Sequence, residues 1–370
     1  MLSKRQFLRA AGLTVAHRVM APAAEPDSAQ RKVILVTFGG GVRYTETFMP
    51  EGLRNIPRLA GLRPQGHFFR TCRNLGVLSH FNSTASLVTG QWQRVDDFGF
   101  QPPASPTIFE AFRQQRKAGA TAAWAICTNK SFSTMGSSAR PGANVVLPKQ
   151  LLLEAVKDVV ARGGGLGVAD REQVQRRLEG ILQEGYEGVG WTIFKGGRQL
   201  DKTVRDTLTH ALVEYIHGPE APASGDELTF FITREVMREF APQLTLVNFW
   251  DMDVAHWGSY SLYLQAITRT DRLVGMLWDE VCANPKYKDR TTMLVLPELG
   301  RDGDANAANG FLNHRSGDDS CRNMWMLALG AGVNRGETER PIAHIDVASS
   351  AAQLLGVKFE AAGQPLREIV

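Results

Sequence analysis

The sequence has no long apolar segment and few cysteines. No stretch approaches the roughly 18 continuous apolar residues that a membrane-spanning helix requires. Its four cysteines, Cys72, Cys127, Cys282 and Cys321, show no Cys-x-x-Cys spacing, which argues against a zinc ribbon or a disulfide-rich scaffold. We therefore expect isolated core thiols, and one disulfide bond stays open as an alternative if the protein is exported.

Neither sign of charge is in large excess. Lysine and arginine number 42 against 38 aspartates and glutamates, which gives a net charge of +4 over 370 residues. No basic stripe is interleaved with aromatic residues, so we expect no nucleic-acid partner. The hydrophobic share of 43% is typical of globular proteins, and the length suits one large α/β domain or a domain with an insertion.

The first 30 residues have the pattern of an export leader. Residues 3–9 resemble a twin-arginine signal in which Lys4 takes the place of the first arginine beside Arg5, and a short apolar stretch follows. Small residues at 21–23 offer a cleavage site, although His17 and Arg18 interrupt the apolar stretch. The pattern predicts a periplasmic or other extracytoplasmic protein, and the alternative is a cytoplasmic protein with a basic N-terminus.

Strand and helix patterns alternate along most of the chain. Apolar runs rich in β-branched residues predict buried strands, and segments with helical spacing of apolar residues lie between them. This order predicts an α/β fold with a doubly wound, mostly parallel sheet. The predicted strands are 32–38, 121–127, 244–250, 291–297 and 324–330; the predicted helices are 106–117, 226–240, 259–282 and one that begins near residue 346; residues 79–84 are predicted to be a polar loop.

The character of the chain changes between about residues 145 and 225. Three amphipathic, charged segments at 151–162, 171–183 and 202–216 are separated by glycine-rich stretches, and no segment there has the pattern of a buried strand. We interpret 145–225 as a helical insertion or cap. The main α/β domain then comprises residues 31–144 and 226–370.

Carboxylates and imidazoles collect beside three predicted strands. Asp251, Asp253 and His256 follow strand 244–250, Glu298 follows strand 291–297, and His314 precedes strand 324–330. Ligands of open α/β sheets bind beyond the carboxyl ends of the strands, so we expect a metal or catalytic site there.

These residues resemble the motifs of the alkaline phosphatase superfamily, which includes phosphatases, sulfatases, phosphodiesterases and cofactor-independent phosphoglycerate mutases. The similarity lies in an Asp followed by His256 at the start of a helix, and in Asp271 and Gly275 further along that helix. It covers about residues 31–135 and 226–358. The segment Glu298-Leu-Gly-Arg301 and the leader also resemble an uncharacterised exported branch that carries Glu-Phe-Gly-Arg.

The departures from the family pattern imply a reduced metal site. The family's two-metal site uses an Asp where this chain has Gly40, and an Asp-His pair where it has Glu298 and Leu299. No serine or threonine stands clearly in the nucleophile position, although Ser79, Ser83 and Thr84 are near it, as is His80, a candidate ligand or base. Only one half of the site is kept, so the resemblance implies a single metal ion.

The resemblance implies the following roles. The candidate metal ligands are Asp251 or Asp253, His256 and His314, with Glu298 as a further ligand or catalytic base; zinc is the first choice of metal, with manganese or iron as alternatives. A small phosphate or sulfate ester would be the substrate. Its charge would be met by Arg43 or Arg322 and by the backbone of the turn at Gly40, and Ser79 or Ser83 would act if a covalent intermediate forms.

A second interpretation stays open, in which the protein is a pseudoenzyme that binds a protein partner. The loss of two ligands at Gly40 and Leu299 favours it. Each candidate also has a structural role available: the aspartates could cap the following helix, Glu298 could pair with Arg301, and His314 could lie in a solvated loop. Fold alone does not decide between the two.

Overall fold

The computed structural model describes residues 30–152, 200–217, 224–305 and 310–369. Almost all of the predicted leader and the whole predicted helix at 171–183 lie outside these ranges, as does most of the predicted helix at 151–162. The limits of the predicted insertion therefore stay a prediction.

A nine-stranded sheet forms the centre of the molecule, as the alternating pattern predicts. Eight strands follow the order β4-β3-β5-β1-β6-β7-β2-β8, and β9 pairs with β2. All pairs are parallel except those that β7 makes with β6 and β2. The strands are β1 (Lys32–Phe38), β2 (His67–Arg73), β3 (Ala123–Cys127), β4 (Asn144–Val146), β5 (Leu244–Phe249), β6 (Thr291–Pro297), β7 (Asn323–Gly330), β8 (Gly336–Thr338) and β9 (Ile342–Ala343).

Eight α-helices accompany the sheet in the described part of the chain. They are α1 (Pro57–Leu62), α2 (His80–Thr89), α3 (Ile108–Arg116), α4 (Lys202–His217), α5 (Gly225–Phe240), α6 (Tyr260–Ala283), α7 (Asp319–Arg322) and α8 (Asp346–Leu354). A 3₁₀ segment, Asp251–Trp257, links β5 to α6. The prediction of a mostly parallel α/β fold is confirmed.

Helices cover both faces of the central strands, which explains why these strands are continuously apolar. In β1, Val33 and Leu35 pack into a core with α2, α3 and α8, whereas Ile34 and Val36 pack on the opposite face with α1 and α6. A parallel strand that is buried on both faces needs apolar residues at every position. The uninterrupted run in β1 is therefore what places it in the middle of the sheet.

The described ends of the predicted insertion pack against the sheet. Leu151 and Leu208 belong to a third core with Trp124 of β3 and Leu228 of α5. Helix α4 lies where the sequence predicts a helix at 202–216.

The predicted polar loop at 79–84 is wrong, because helix α2 begins at His80. Its polar residues are buried and find partners inside the protein. Asn82 donates to the carbonyl of Val95, and Ser83 accepts a hydrogen bond from Asn74. Burial with satisfied hydrogen bonds lets a polar segment form a core helix.

The composition led to expectations about the cysteines and about membrane-spanning helices. All four cysteines are free; Cys282 is exposed and the other three are buried. Among the described residues, no helix combines the length and apolar character of a membrane span.

Candidate metal centre

The ends of three adjacent strands and the start of helix α2 meet at one edge of the sheet. Strand β1 lies between β5 and β6, and its last residue, Phe38, is in register with Phe249 and Pro297. The segments that follow, the turn after β1, the 3₁₀ segment after β5 and the segment from Glu298 after β6, therefore leave the sheet side by side. This is the carboxyl edge, where open α/β sheets bind ligands.

Four side chains converge at this edge: His80, Asp253, His256 and His314. One ligand atom from each lies within 4.8 Å of all the others. The Nε2 atoms of His256 and His314 are 3.2 Å apart, and Asp253 Oδ1 lies 3.2 Å from His256 Nε2. His80 Nε2 is 3.3 Å from the same carboxylate oxygen.

The outer nitrogens of two of these imidazoles are held by other groups. His314 Nδ1 lies 3.2 Å from the carbonyl oxygen of Leu78, which can only accept, so the proton sits on Nδ1. His80 Nδ1 lies 2.5 Å from Oε1 of Glu298 and donates to it. Metal-binding histidines are commonly held in this way, with a carbonyl or carboxylate on the nitrogen that faces away from the ion.

The residues at this point fit a divalent metal ion such as zinc. Bonds of about 2.0–2.1 Å in a tetrahedral arrangement separate neighbouring ligand atoms by about 3.3 Å. Three of the separations, 3.2, 3.2 and 3.3 Å, agree with that value, and the other pairs lie within 4.8 Å. The donor set of three imidazoles and one carboxylate is also one that zinc prefers. The expected dependence on a metal is therefore supported by a four-residue cluster, and the structure does not decide which metal it holds.

The cluster is reachable from solvent on one side. The side chains of His80 and His256 are 14% and 19% exposed, whereas that of Asp253 is 6% exposed. His314 is buried. A small ligand would therefore approach past His80 and His256.

Burial and neighbouring charges shift the pKa values of Asp253, His80 and His314 in different directions. Burial alone would raise the pKa of Asp253, but the neighbouring His80 and Arg301 and the hydrogen bond from His256 lower it well below its usual range. Burial alone would lower the pKa of His80, but the carboxylates of Asp253 and Glu298 raise it to about 9. Burial, reinforced by the charges of His80 and Arg301, lowers the pKa of His314 far below its usual value.

Glu298 is not one of the four cluster residues. It contacts His80 at Nδ1, the nitrogen that faces away from the cluster. It is fully buried, and besides His80 its oxygens accept hydrogen bonds from the backbone N–H of Gly40 (2.8 Å), Thr84 Oγ1 (3.0 Å) and Asn248 Nδ2 (3.1 Å). A carboxylate has about four acceptor sites, so these four donors engage it fully. The arrangement favours an orienting role over that of a metal ligand.

Arg301 is a buried cation at the same edge. It pairs with Asp253, with Nη2 3.0 Å from Oδ1, and not with Glu298. Its other N–H groups donate to the carbonyls of Gly40, Gly41, Phe311 and Leu312. One side chain thus joins the turn after β1, the 3₁₀ segment and the loop before His314.

Gly40 has no room for an aspartate side chain. Its φ is +81°, and a Cβ would lie 2.4 Å from the backbone nitrogen of Asp253. Leu299, where the sequence resemblance implies a lost histidine, is buried in the apolar core. Neither position can contribute a ligand in the described structure.

Several predicted site residues are engaged elsewhere. Asp251 pairs with Arg269 at 2.9 Å and lies outside the cluster. Ser79 donates to Asp97, and Ser83 is buried against Asn74 and the carbonyl of Val77, so neither hydroxyl joins the cluster.

The two arginines predicted to bind substrate differ in their surroundings. Arg43 is buried and pairs with Glu46 and Asp304, so its charge is already compensated. Arg322 donates to the carbonyls of Gly317 and Asn74 and lines a cavity near the cluster.

Asp226 is a buried acid that the sequence did not single out. It accepts hydrogen bonds from the backbone N–H groups of Trp250 (2.6 Å) and Asp251 (3.0 Å) and so fixes the start of the 3₁₀ segment. Burial and the charge of Asp251 raise its pKa to about 8. No spacing motif marks this residue, because it reaches the segment from helix α5.

Comparison by sequence finds no matching family model and no matching curated protein. Solved structures are similar in fold. The wild-type alkaline phosphatase PafA matches 93% of this chain and 99% of its own length with a TM-score of 0.56 at 12% identity. A structure described as a 2-O GAG sulfatase matches 91% of this chain and 73% of its own length (TM-score 0.55, 12% identity).

A third similar structure is the phosphonate monoester hydrolase from Silicibacter pomeroyi. It matches 90% of this chain and 75% of its own length, with a TM-score of 0.53 at 14% identity. The similarity in three-dimensional structure thus extends over most of the chain. The chain has the fold of the alkaline phosphatase superfamily.

Proposed function

We propose that this protein is a hydrolase of a phosphate or sulfate ester that uses one divalent metal ion, with zinc as the first choice. The observation that carries the proposal is the convergence of ligand atoms from His80, Asp253, His256 and His314 within 4.8 Å. The activities named for the similar structures, an alkaline phosphatase, a sulfatase and a phosphonate monoester hydrolase, support this class of substrate.

Asp253, His256 and His314 would hold the ion. When bound, such an ion supplies Lewis acidity toward an ester oxygen and an activated water. Three protein ligands leave a position open, as in catalytic zinc sites.

His80 is the residue placed to move a proton. Its Nδ1 is fixed by Glu298, and its Nε2 faces the cluster. An imidazole held in this way can donate a proton to the leaving alcohol and recover it from water. His80 is also the first residue of α2, and the positive end of a helix favours a bound anion.

Metal analysis and hydrolysis assays on a set of histidine variants test this proposal. The wild type and His210→Ala, a control at an exposed histidine on α4, should each carry about one equivalent of metal. His256→Ala and His314→Ala should lose it. His80→Gln should keep the metal but hydrolyse p-nitrophenyl phosphate or sulfate at least about 100-fold more slowly.

Two outcomes of this series would overturn the proposal. The first is a wild type that binds no metal even after reconstitution. The second is a His80→Gln variant with full metal content and full activity, since that would remove the proposed role of His80.

A second candidate is a non-catalytic metal-binding protein that serves in binding or assembly. The presence of four ligand atoms favours it, because four protein ligands close a tetrahedral site and leave no position for water. His80→Gln would then lose metal together with the other two variants, and neither ester would be hydrolysed.

We also propose that the protein is exported. The support is the Ser3-Lys-Arg-Gln-Phe-Leu-Arg9 pattern followed by an apolar stretch. Cell fractionation of the full chain beside an Arg5→Gln variant tests this. Export of the wild type and retention of the variant in the cytoplasm support the proposal, and cytoplasmic location of both contradicts it.

A further inference from the structure

A cavity of about 520 Å³ lies next to the metal centre and shares a wall with it. Leu78 and Ser79 line the cavity. The carbonyl of Leu78 accepts the hydrogen bond from His314, and Ser79 directly precedes His80. The cavity and the metal centre therefore adjoin each other along residues 78–80.

Three arginines and one carboxylate line the cavity: Arg94, Arg315, Arg322 and Asp97. Both carboxylate oxygens of Asp97 already have partners in the protein. Oδ1 accepts hydrogen bonds from Ser79 and Asn82, and Oδ2 lies 3.4 Å from Arg315. Three positive charges against one negative charge leave the cavity with a surplus of two positive charges.

Arg322 is held in place without a carboxylate. Its Nε donates to the carbonyl of Gly317 at 3.1 Å, and its Nη1 donates to the carbonyl of Asn74 at 3.0 Å. No carboxylate of the described residues lies within ion-pair distance of Arg322 or of Arg94. The Nη1 atom of Arg322 also lies 3.4 Å from the carbonyl of Gly76. Among the described residues no acceptor is bonded to Nη2, so this group is held in a fixed position from which it can donate to an oxyanion.

We propose that this cavity binds a second sulfate or phosphate group, carried by the part of the substrate that does not react. The substrate would then be a small polyanionic ester, with its reacting group at the metal centre and its second anionic group on Arg94, Arg315 and Arg322. Trp92 and Leu75 supply apolar surface for the body of the molecule between the two charges. The assignment of the reacting group rests on the proposed function, whereas anion binding in the cavity does not require a metal.

Calorimetry on protein freed of metal by a chelator tests anion binding in the cavity separately from the metal centre. The probe is sucrose octasulfate, and neutral sucrose is its uncharged control. The octasulfate should bind and sucrose should not. Arg94→Gln and Arg315→Gln, two exposed positions whose loss leaves the core intact, should each weaken binding by roughly tenfold. Arg335→Gln removes another exposed arginine, which lies outside the cavity, and should leave binding unchanged.

Two results would overturn the inference. One is the absence of octasulfate binding at low salt. The other is equal weakening by Arg335→Gln, which would show that net charge and not the cavity holds the anion.

Steady-state kinetics test whether the cavity binds the part of the substrate that does not react. With an aryl ester that carries a second sulfate, Arg94→Gln should raise KM about tenfold and leave kcat unchanged, because the lost contact is made equally before and during reaction. With p-nitrophenyl phosphate, which has no second anionic group, the rise in KM of the same variant should be much smaller. An equal effect on both esters would contradict the assignment. If the protein hydrolyses neither ester but binds the octasulfate, the proposed function fails and the cavity assignment stands.

Discussion

Oε1 of Glu298 lies 2.5 Å from Nδ1 of His80, so a fully buried carboxylate fixes the ring of a partly exposed imidazole. The two residues are 218 positions apart in the sequence. They meet because strand β6 ends beside the first turn of α2.

Replacing Glu298 with glutamine should lower the activity through His80 and leave the metal bound. The amide would direct N–H groups at donors such as Thr84 and Asn248, and it would hold His80 less firmly. Loss of such a supporting carboxylate costs about 10–100-fold in activity. Metal titration and hydrolysis assays would measure this, with Thr84→Val as the control that removes one neutral donor. An effect of Thr84→Val as large as that of Glu298→Gln would contradict the special role of the carboxylate.

Gly40→Asp should fail to restore a second metal site. The new Cβ would lie 2.4 Å from the backbone nitrogen of Asp253 at a φ of +81°, so the variant should lose at least about 2 kcal/mol of unfolding free energy. Gly61→Ala in α1, where a Cβ meets nothing within 4 Å, should be neutral or stabilising by up to about 1 kcal/mol. Denaturant unfolding measures both, and a stable Gly40→Asp protein with two metal equivalents would refute the argument.

Arg301→Met should unfold far more easily than the wild type. The change removes the guanidinium partner of Asp253, which keeps only His80 and His256 beside it. It also removes the donors to the carbonyls of the turn after β1 and of the loop before His314. Breaking a buried pair by removing one partner costs about 3–5 kcal/mol. Chemical denaturation of the metal-free protein measures the loss, and the exposed Arg335→Met serves as the control. Equal stability of the two variants would show that Arg301 does not hold the segments together.

The ionisation of Asp271 should lower the unfolding free energy of the protein as the pH rises. It accepts from the backbone N–H groups of Arg58 (2.9 Å) and Leu59 (2.8 Å) at the start of α1, yet burial raises its pKa to about 6. An unfolded aspartate has a pKa of about 3.9, so between about pH 4 and 6 the folded state binds more protons. Its contribution is thus fully present below about pH 4 and declines by up to about 3 kcal/mol by pH 7.

Asp271→Asn is the matched variant for this pH effect, since the amide cannot titrate. Unfolding free energies of both proteins at about pH 4 and pH 7 should show the wild type losing stability relative to the variant. If the wild type instead gains on the variant, the two backbone donors outweigh burial and the sign is wrong.

The sheet and most helices could be predicted from sequence because their signals are local. The apolar run of β1 and the helical spacing of α6 depend on neighbours a few residues away. Helix α2 was missed because its polar residues are satisfied by distant partners: Asn82 by Val95, and Thr84 by Glu298. Hydrophobic periodicity cannot show a helix whose buried face is polar.

Only part of the candidate site could be predicted, because only some of its residues are marked by local signals. Asp253, His256 and His314 stand beside strand ends, which the sequence locates, and the structure brings them together. His80 was noted only as a candidate ligand or base, because its place depends on where α2 starts. The contact between Glu298 and Gly40 spans 258 positions, and no local spacing indicates it.

The buried guanidinium of Arg301 has a consequence for the kinetics of metal exchange. It fixes the three segments that carry or flank Asp253, His256 and His314 whether or not an ion is present. The conformational entropy of ordering these ligands is thus lost when the chain folds. An ion of the kind proposed above would therefore enter and leave a preorganised protein without local unfolding, at rates set by access past His80 and His256.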